Sequence, residues 1–217
     1  GIFHFDSLTP FEQWPSKITN KISKGKIDII MTNPPFGKKC VIDDKKILEH
    51  YHLGHKWEKG TDGIWVETKK VDDSRTPDIL FIERCLDLLK PGGRMAIVLP
   101  DGILGNNGLE YVRQYILNNA DIVAIIDCPV ESFLPSTDTK TSLLILKKKK
   151  REGLPQTFDT FMAIAKTCGH DRRGKEVYVR DENGDPVIVD GNAVIDNDFV
   201  EITRRLVEHV KTRNIYN

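Results

Sequence analysis

Asn33-Pro34-Pro35-Phe36 is the stretch of this 217-residue chain whose residue types and spacing are suited to chemistry. A planar amino group on an aromatic ring is a weak nucleophile, because its lone pair is delocalised into the ring. Acceptors on both of its N–H bonds would localise that lone pair on nitrogen and direct it at an electrophilic methyl group. The Asn33 side-chain oxygen can take one N–H and the Pro34 carbonyl the other, since the Pro-Pro step fixes φ and removes competing backbone donors. Phe36 offers a ring face against a flat substrate. Such a site works by placement and electrostatic complementarity to the transition state, because an amide has no useful basicity near neutral pH. A plain Asn-Pro turn leaving a strand is the alternative reading.

The surrounding pattern is that of elements able to hold such a site. Lys26–Met31 is a short β-branched apolar run that stops at the tetrapeptide, which predicts a buried strand with Asn33 at its carboxyl end. Ligands of open α/β sheets bind there. Thr76 and Pro77 open a predicted helix, with Ile79, Leu80, Ile82, Leu86 and Leu89 at helical spacing and Lys90-Pro91-Gly92-Gly93 as its stop. Arg94–Leu99 predicts a second buried strand, and a helix is expected over about Asn107–Leu117. Asp121–Asp127 and Ser142–Leu146 are two further strands joined by a loop, and so suited to antiparallel pairing. The region up to Lys150 thus reads as an open α/β sheet, interrupted at Cys40–Ser74 by an insertion or long loop without clear periodicity.

Residues 151–217 read as a C-terminal extension to the core of residues 1–150. Glu176–Arg180 faces Pro186–Val189 across Asp181-Glu182-Asn183-Gly184-Asp185, a hairpin signal, and a short helix is expected near Asp198–Thr212.

Composition narrows the class. The chain is 39% hydrophobic and 29% charged, that of a soluble domain with one sizeable core. Acidic and basic residues balance at 32 each, so contact with nucleic acid would come from local patches or a partner subunit. Cys40, Cys85, Cys128 and Cys168 show no C-x-x-C spacing, which predicts reduced thiols in a cytoplasmic protein. No apolar run reaches the roughly 20 residues of a membrane span, and no signal pattern opens the chain. His50, His52 and His55 lie close together but lack further ligands for a familiar metal site, so no metal is expected. The basic run Lys147–Arg151 could meet phosphates, though such a run is more often the solvated end of a strand. Trp57 and Trp65 could face DNA or another subunit, or could pack their loop onto its own domain.

Four segments carry a family resemblance. D-I-I-M-T-N-P-P-F-G resembles the catalytic motif of amino-methyltransferases with (D/N)-P-P-(F/Y). T-P-D-I-L-F-I-E-R-C-L-D-L-L-K-P-G-G-R-M-A-I-V-L-P-D-G-I-L is similar to the helix, strand and loop that follow that motif in the N6-adenine DNA methylase, or modification, subunit of type I restriction-modification systems. V-E-S-F-L-P-S-T-D-T-K-T-S-L-L-I-L-K is similar to that family's late motif, and F-M-A-I-A-K-T-C-G-H-D-R-R-G-K to a segment beyond its core.

The resemblance implies the C-terminal half of a Rossmann-like S-adenosylmethionine-dependent methyltransferase sheet, with a small hairpin and helix appended. It implies Asn33, Pro34, Pro35 and Phe36 as catalytic, and Phe36 and Phe133 as stacking against a flipped adenine. Asp6 sits where the family places an acidic residue near the cofactor's adenine, with a surface Asp capping a turn as the alternative. The family's glycine-rich cofactor loop lies upstream of the matching segments, so the expectation is that these residues alone bind S-adenosylmethionine poorly. The implied partners are double-stranded DNA, a specificity subunit, a second methylase subunit and a restriction subunit. Methylation of protein glutamine or ribosomal RNA, and a non-catalytic role in an assembly, remain open at this stage.

Overall fold

A computed structural model describes residues 1–37, 40–150 and 159–215. The chain divides into two compact units: Gly1–Val123 with the stretch from Leu144, and Ala124–Leu143 with the stretch from Asp159. The division falls inside two strands, so each unit holds part of both.

The first unit carries, in chain order, α1 (Ser16–Thr19), β1 (Ile27–Thr32), α2 (Lys45–Leu48), β2 (His55–Lys59), β3 (Trp65–Val71), α3 (Pro77–Leu88), β4 (Leu89–Pro100), α4 (Asp101–Gly105), α5 (Glu110–Asn119), the start of β5 (Ala120–Asp127) and the end of β6 (Thr141–Lys148). Its sheet runs β1-β4-β6-β5. β1 and β4 are parallel, Thr32 standing opposite Ile97, and α3 is the crossover between them. Parallel neighbours require such a crossover, and α3 provides it with Pro77 at its first turn and Ile79, Leu80, Ile82 and Leu86 buried.

In β4, Met95, Ile97 and Leu99 are buried to within 1% while Ala96 and Val98 between them are only half-buried, the period-two signature of a strand with one packed face. The Lys90-Pro91-Gly92-Gly93 stop is absorbed into β4 as a bulge: Ile27 pairs with Leu89, and Ile29 already with Arg94. Gly92 takes φ +78°, and a Cβ on Gly93 would lie 2.8 Å from the Lys90 carbonyl oxygen and 3.0 Å from that of Ile27. The bulge therefore needs its glycines.

Two expectations change. β1 is an edge strand paired only with β4 among the described residues, and the side chains of its face that carries Ile29 and Met31 are not covered, leaving them 51% and 81% exposed. Cys40–Ser74 is structured: β2 and β3 form an antiparallel ribbon, with α2 and a 3-10 turn at His52–Gly54 before it. Trp57 stacks on Tyr111 of α5 at 5.8 Å, Trp65 lies 6.0 Å from the same ring, and Gln114 bonds both the N–H and the carbonyl of Trp65. The periodicity is hidden because the two tryptophans bind the ribbon through aromatic contacts rather than through an alternating apolar face. Both tryptophans thus pack the insertion onto its own unit.

The second unit holds the rest of β5 and β6, then β7 (Phe161–Ile164), β8 (Ile188–Val189), β9 (Asn192–Ala193) and α6 (Asp198–Thr212). Its sheet order is β6-β5-β7, with β7 parallel to β5; β7 was not anticipated from the sequence. β5 and β6 are antiparallel as expected, since Cys128 N–H bonds the Thr141 carbonyl at one end and Lys149 N–H bonds the Asn119 carbonyl at the other. Ile126, Ala165 and Ile202 form this unit's core, with Phe161, Phe199 and Leu206 packed against it. The hairpin is present: Asp181 N–H bonds the Asp185 carbonyl and Val187 N–H bonds the Val179 carbonyl. α6 starts where expected, capped by the Asn197 side chain on Phe199 N–H.

Candidate active site

Asn33 is exposed and follows the last residue of β1 directly. Pro34 is buried, Pro35 is exposed and Phe36 is half-buried, so alternate residues anchor the turn and face outward. Gly37 turns the chain at φ +108°, a conformation that a β-carbon disfavours. Anchoring through Pro34 fixes the backbone that carries the Asn33 side chain. That is the pre-organisation required of a site acting through placed acceptors.

Beside this turn lies a cleft of about 380 Å³, lined among others by Gly37, Val41, Arg75, Asp78, Ile103 and Tyr111. Arg75 is fixed in its wall: its guanidinium donates to the carbonyls of Leu53 (2.8 Å) and His55 (2.9 Å), pairs with Asp72 and lies over the Tyr111 ring. Asp78 is 3% exposed. Burial pushes its carboxyl above the usual range, opposed by bonds from Thr76 and from the N–H groups of Asp78 and Ile79. Sequence reading missed this wall, because an acidic residue after Thr-Pro reads as a helix cap and Arg75 sits in what reads as a loop.

Behind the cleft, α3 turns two charged residues inward. Glu83 accepts from the N–H groups of His52 (2.9 Å) and Leu53 (2.8 Å), and burial raises its carboxyl to about 7. Arg84 donates to the Tyr51 hydroxyl and the Thr9 carbonyl, and the Tyr51 hydroxyl donates to the Leu8 carbonyl at 2.8 Å. These are framework contacts that tie the N-terminal segment and the insertion to α3.

The remaining predicted residues fall as follows. Asp6 is exposed, and its carboxylate accepts from Leu8 N–H at 3.0 Å while its carbonyl accepts from the Thr9 hydroxyl at 2.8 Å, so it caps a turn in this structure. Phe133 is half-buried at the end of a 3-10 turn, Val130–Phe133, in the second unit. His52 and His55 both reach Glu67, at 2.7 and 2.9 Å. His50 bonds the Lys46 carbonyl instead. Among the described residues no group of three or more His, Cys, Asp or Glu could hold a metal ion.

In the basic run, Lys148 donates to the carbonyls of Leu86 and Leu89, and Lys149 to that of Leu117. These bonds make it a tethered strand end. Arg151 lies outside the described residues. No described helix is long and apolar enough to cross a membrane.

Comparison with known proteins agrees with this arrangement. The MpnII type I restriction enzyme methylase subunit of Mycoplasma pneumoniae (strain ATCC 29342 / M129 / Subtype 1) is 26% identical over 159 residues, which is 73% of this chain and 27% of that protein. The EcoEI methylase subunit of Escherichia coli is 27% identical over 126 residues, 57% of this chain and 21% of that protein. The chain thus spans about a quarter of the length of the curated relatives it matches. A solved modification subunit assigned to a type I restriction enzyme of Vibrio vulnificus YJ016 shares the fold with a TM-score of 0.50, at 19% identity over 96% of this chain and 35% of that one. The sequence model described as N-6 DNA Methylase matches residues 2–205, and the chain belongs to that family.

Proposed function

We propose that this chain is the adenine-binding part of the catalytic domain of a modification subunit of a type I restriction-modification system, which transfers a methyl group from S-adenosylmethionine to N6 of an adenine in double-stranded DNA. The observation that carries the reading is Asn33, exposed at the carboxyl end of a parallel strand with Pro34 buried behind it. Ligands of open α/β sheets bind in that position, and the relatives are named methylase subunits of type I restriction enzymes.

The adenine leaves the duplex stack to reach the tetrapeptide, at a cost of about a few kcal/mol of unstacking. Its amino N–H bonds go to the Asn33 side-chain oxygen and the Pro34 carbonyl, which localise the nitrogen lone pair. Phe36 and Phe133 take the role of base-stacking rings. S-adenosylmethionine supplies the electrophilic methyl group. Of the residues described, Asp6 is the candidate for contact with its adenosine, through the capacity that its carboxylate retains beyond the turn it caps. One acidic residue is not a cofactor cradle.

In this reading the catalytic core runs to about residue 150, with residues 151–217 as an extension. Choice of DNA sequence belongs to a separate specificity subunit, and a second methylase subunit and a restriction subunit complete the assembly.

The test is transfer from labelled S-adenosylmethionine to unmodified duplex DNA by the full-length protein purified with its partner subunits, followed by digestion to nucleosides. Label in N6-methyladenine, lost in Asn33→Ala, is expected. Label absent from DNA but taken up by ribosomal RNA or by protein glutamine when these are offered instead would replace the reading with one of the other planar-nitrogen reactions, and no transfer to any of them would leave the non-catalytic assembly role.

A further inference from the structure

Two turns in the second unit are built alike. Asp171 uses one carboxylate oxygen to accept the N–H groups of Arg173 (2.8 Å) and Lys175 (3.0 Å). Its own N–H bonds the Lys175 carbonyl, its carbonyl accepts from Gly174 N–H, and Gly174 takes φ +78°. Ten residues later Asp181 repeats each contact: its carboxylate accepts from Asn183 and Asp185, both at 2.9 Å, with the corresponding backbone bonds to Asp185 and Gly184 and Gly184 at φ +88°. Such Asx-type turns depend on the aspartate and the glycine. The other side chains of each turn take no part in these bonds and are free to vary without cost to the turn.

Those residues differ in charge. The first turn presents Arg172, Arg173 and Lys175, all exposed, and the second presents Glu182, Asn183 and Asp185, also exposed. No ion pair engages Arg173 or Lys175 among the described residues, and Arg172, with a side chain 78% exposed, makes one, to Glu131 at 3.2 Å.

That pair matters for position. Glu131 lies in the 3-10 turn that ends at Phe133, and it lines, together with the segment Lys166–His170, a small cleft of about 180 Å³. The basic turn is therefore held beside the helix that carries Phe133.

We propose that the turn Asp171–Lys175 is a phosphate contact, in which Arg173 and Lys175 engage the DNA backbone next to the nucleotide served by Phe133. The inference rests on the function proposed above and adds to it a substrate-positioning surface. A turn whose backbone is already fixed by its aspartate loses little further freedom on binding, so its cations meet phosphates at low ordering cost. Phosphate contacts fix register on the duplex without reading sequence, a suitable task for a subunit whose sequence choice lies elsewhere.

The experiment titrates a fluorescein-labelled DNA duplex with the full-length protein and its partner subunits over a series of salt concentrations, for wild type, Arg173→Ala/Lys175→Ala and Glu182→Ala/Asp185→Ala. Each lost phosphate contact removes about one from the slope of log K against log salt. The basic-turn variant is expected to be shallower by about 2, with unchanged thermal unfolding, while the acidic-turn variant keeps the wild-type slope. A basic-turn variant with the wild-type slope, or equal losses in both variants, overturns the proposal while leaving methylation of DNA by the wild type intact. A wild type that neither binds nor methylates duplex DNA overturns both this proposal and the function it rests on.

Discussion

The wall formed by α3 and the turn after β1 treat polar groups in opposite ways. Along α3, Glu83 and Arg84 are 2% and 3% exposed, and each is held by bonds to distant parts of the chain. At the end of β1, Asn33 is exposed and its neighbour Pro34 is buried. The contrast teaches where the molecule commits its polar groups: to framework along α3, while at the end of β1 the amide of Asn33 is left exposed, as the proposed function requires. Substitutions along the wall should lower stability, and substitutions at the turn should lower turnover while the fold stands.

The sharpest break in that contrast is Asn33→Ala. Removing a placed hydrogen-bonding group of this kind lowers turnover by about 10²–10³-fold, while an exposed substitution shifts stability by about 0.5 kcal/mol or less. Transfer assays paired with thermal melting check both halves, and a variant that melts far below wild type would move Asn33 into the framework. Leu80→Ala is the converse. Leu80 is fully buried between α3 and the cluster of Leu8, Leu48 and Tyr51, and its truncation should cost about 2–5 kcal/mol in denaturant unfolding. Tyr51→Phe sharpens the same side, because it removes the hydroxyl that serves Arg84 and the Leu8 carbonyl; a loss of about 1–3 kcal/mol is expected.

The smallest effect is the pH dependence of the wall. Glu83 has an ordinary value of 4.5 and is raised to about 7 by burial, so the folded state binds its proton more tightly than the unfolded chain does. Its contribution to stability is complete below about 4.5 and is lost as pH rises through about 7. His52 acts in the same direction. Burial alone would lower its pKa, but the Glu67 hydrogen bond and the charges of Glu83, Glu67 and Asp87 outweigh burial and raise it. Unfolding midpoints should therefore fall across pH 4.5 to 7, and Glu83→Gln should flatten that decline. A profile that rises over this window would show that the pair is not the controlling group.

Legibility followed the kind of signal each segment carries. β1, α3, β4 and α6 were readable because each carries local signals: an apolar run ending at proline in β1 and β4, Pro77 with helical spacing in α3, and Asn197 as the cap of α6. The place of the tetrapeptide was readable because its signal is local, an apolar run ending at consecutive Asn and Pro residues. The ribbon of β2 and β3 was not, since its partner surface, Tyr111 and Gln114, lies 49 to 54 residues away in α5. β7 was missed because four residues beside β5, two of them exposed, leave no pattern that distinguishes them from a loop.

By itself the sequence determined the family and the position of Asn33-Pro34-Pro35-Phe36 at a strand end, because each depends on consecutive residues and their backbone preferences. Only the tertiary structure decided that Arg75 and Asp78 line a cleft beside Gly37 and that Glu83 and Arg84 face inward. It also decided that, of two turns with the same backbone, the basic one sits beside the helix of Phe133. Those outcomes depend on which distant segments pack together, and burial, ion pairing and pKa shifts follow from that packing rather than from neighbours in sequence.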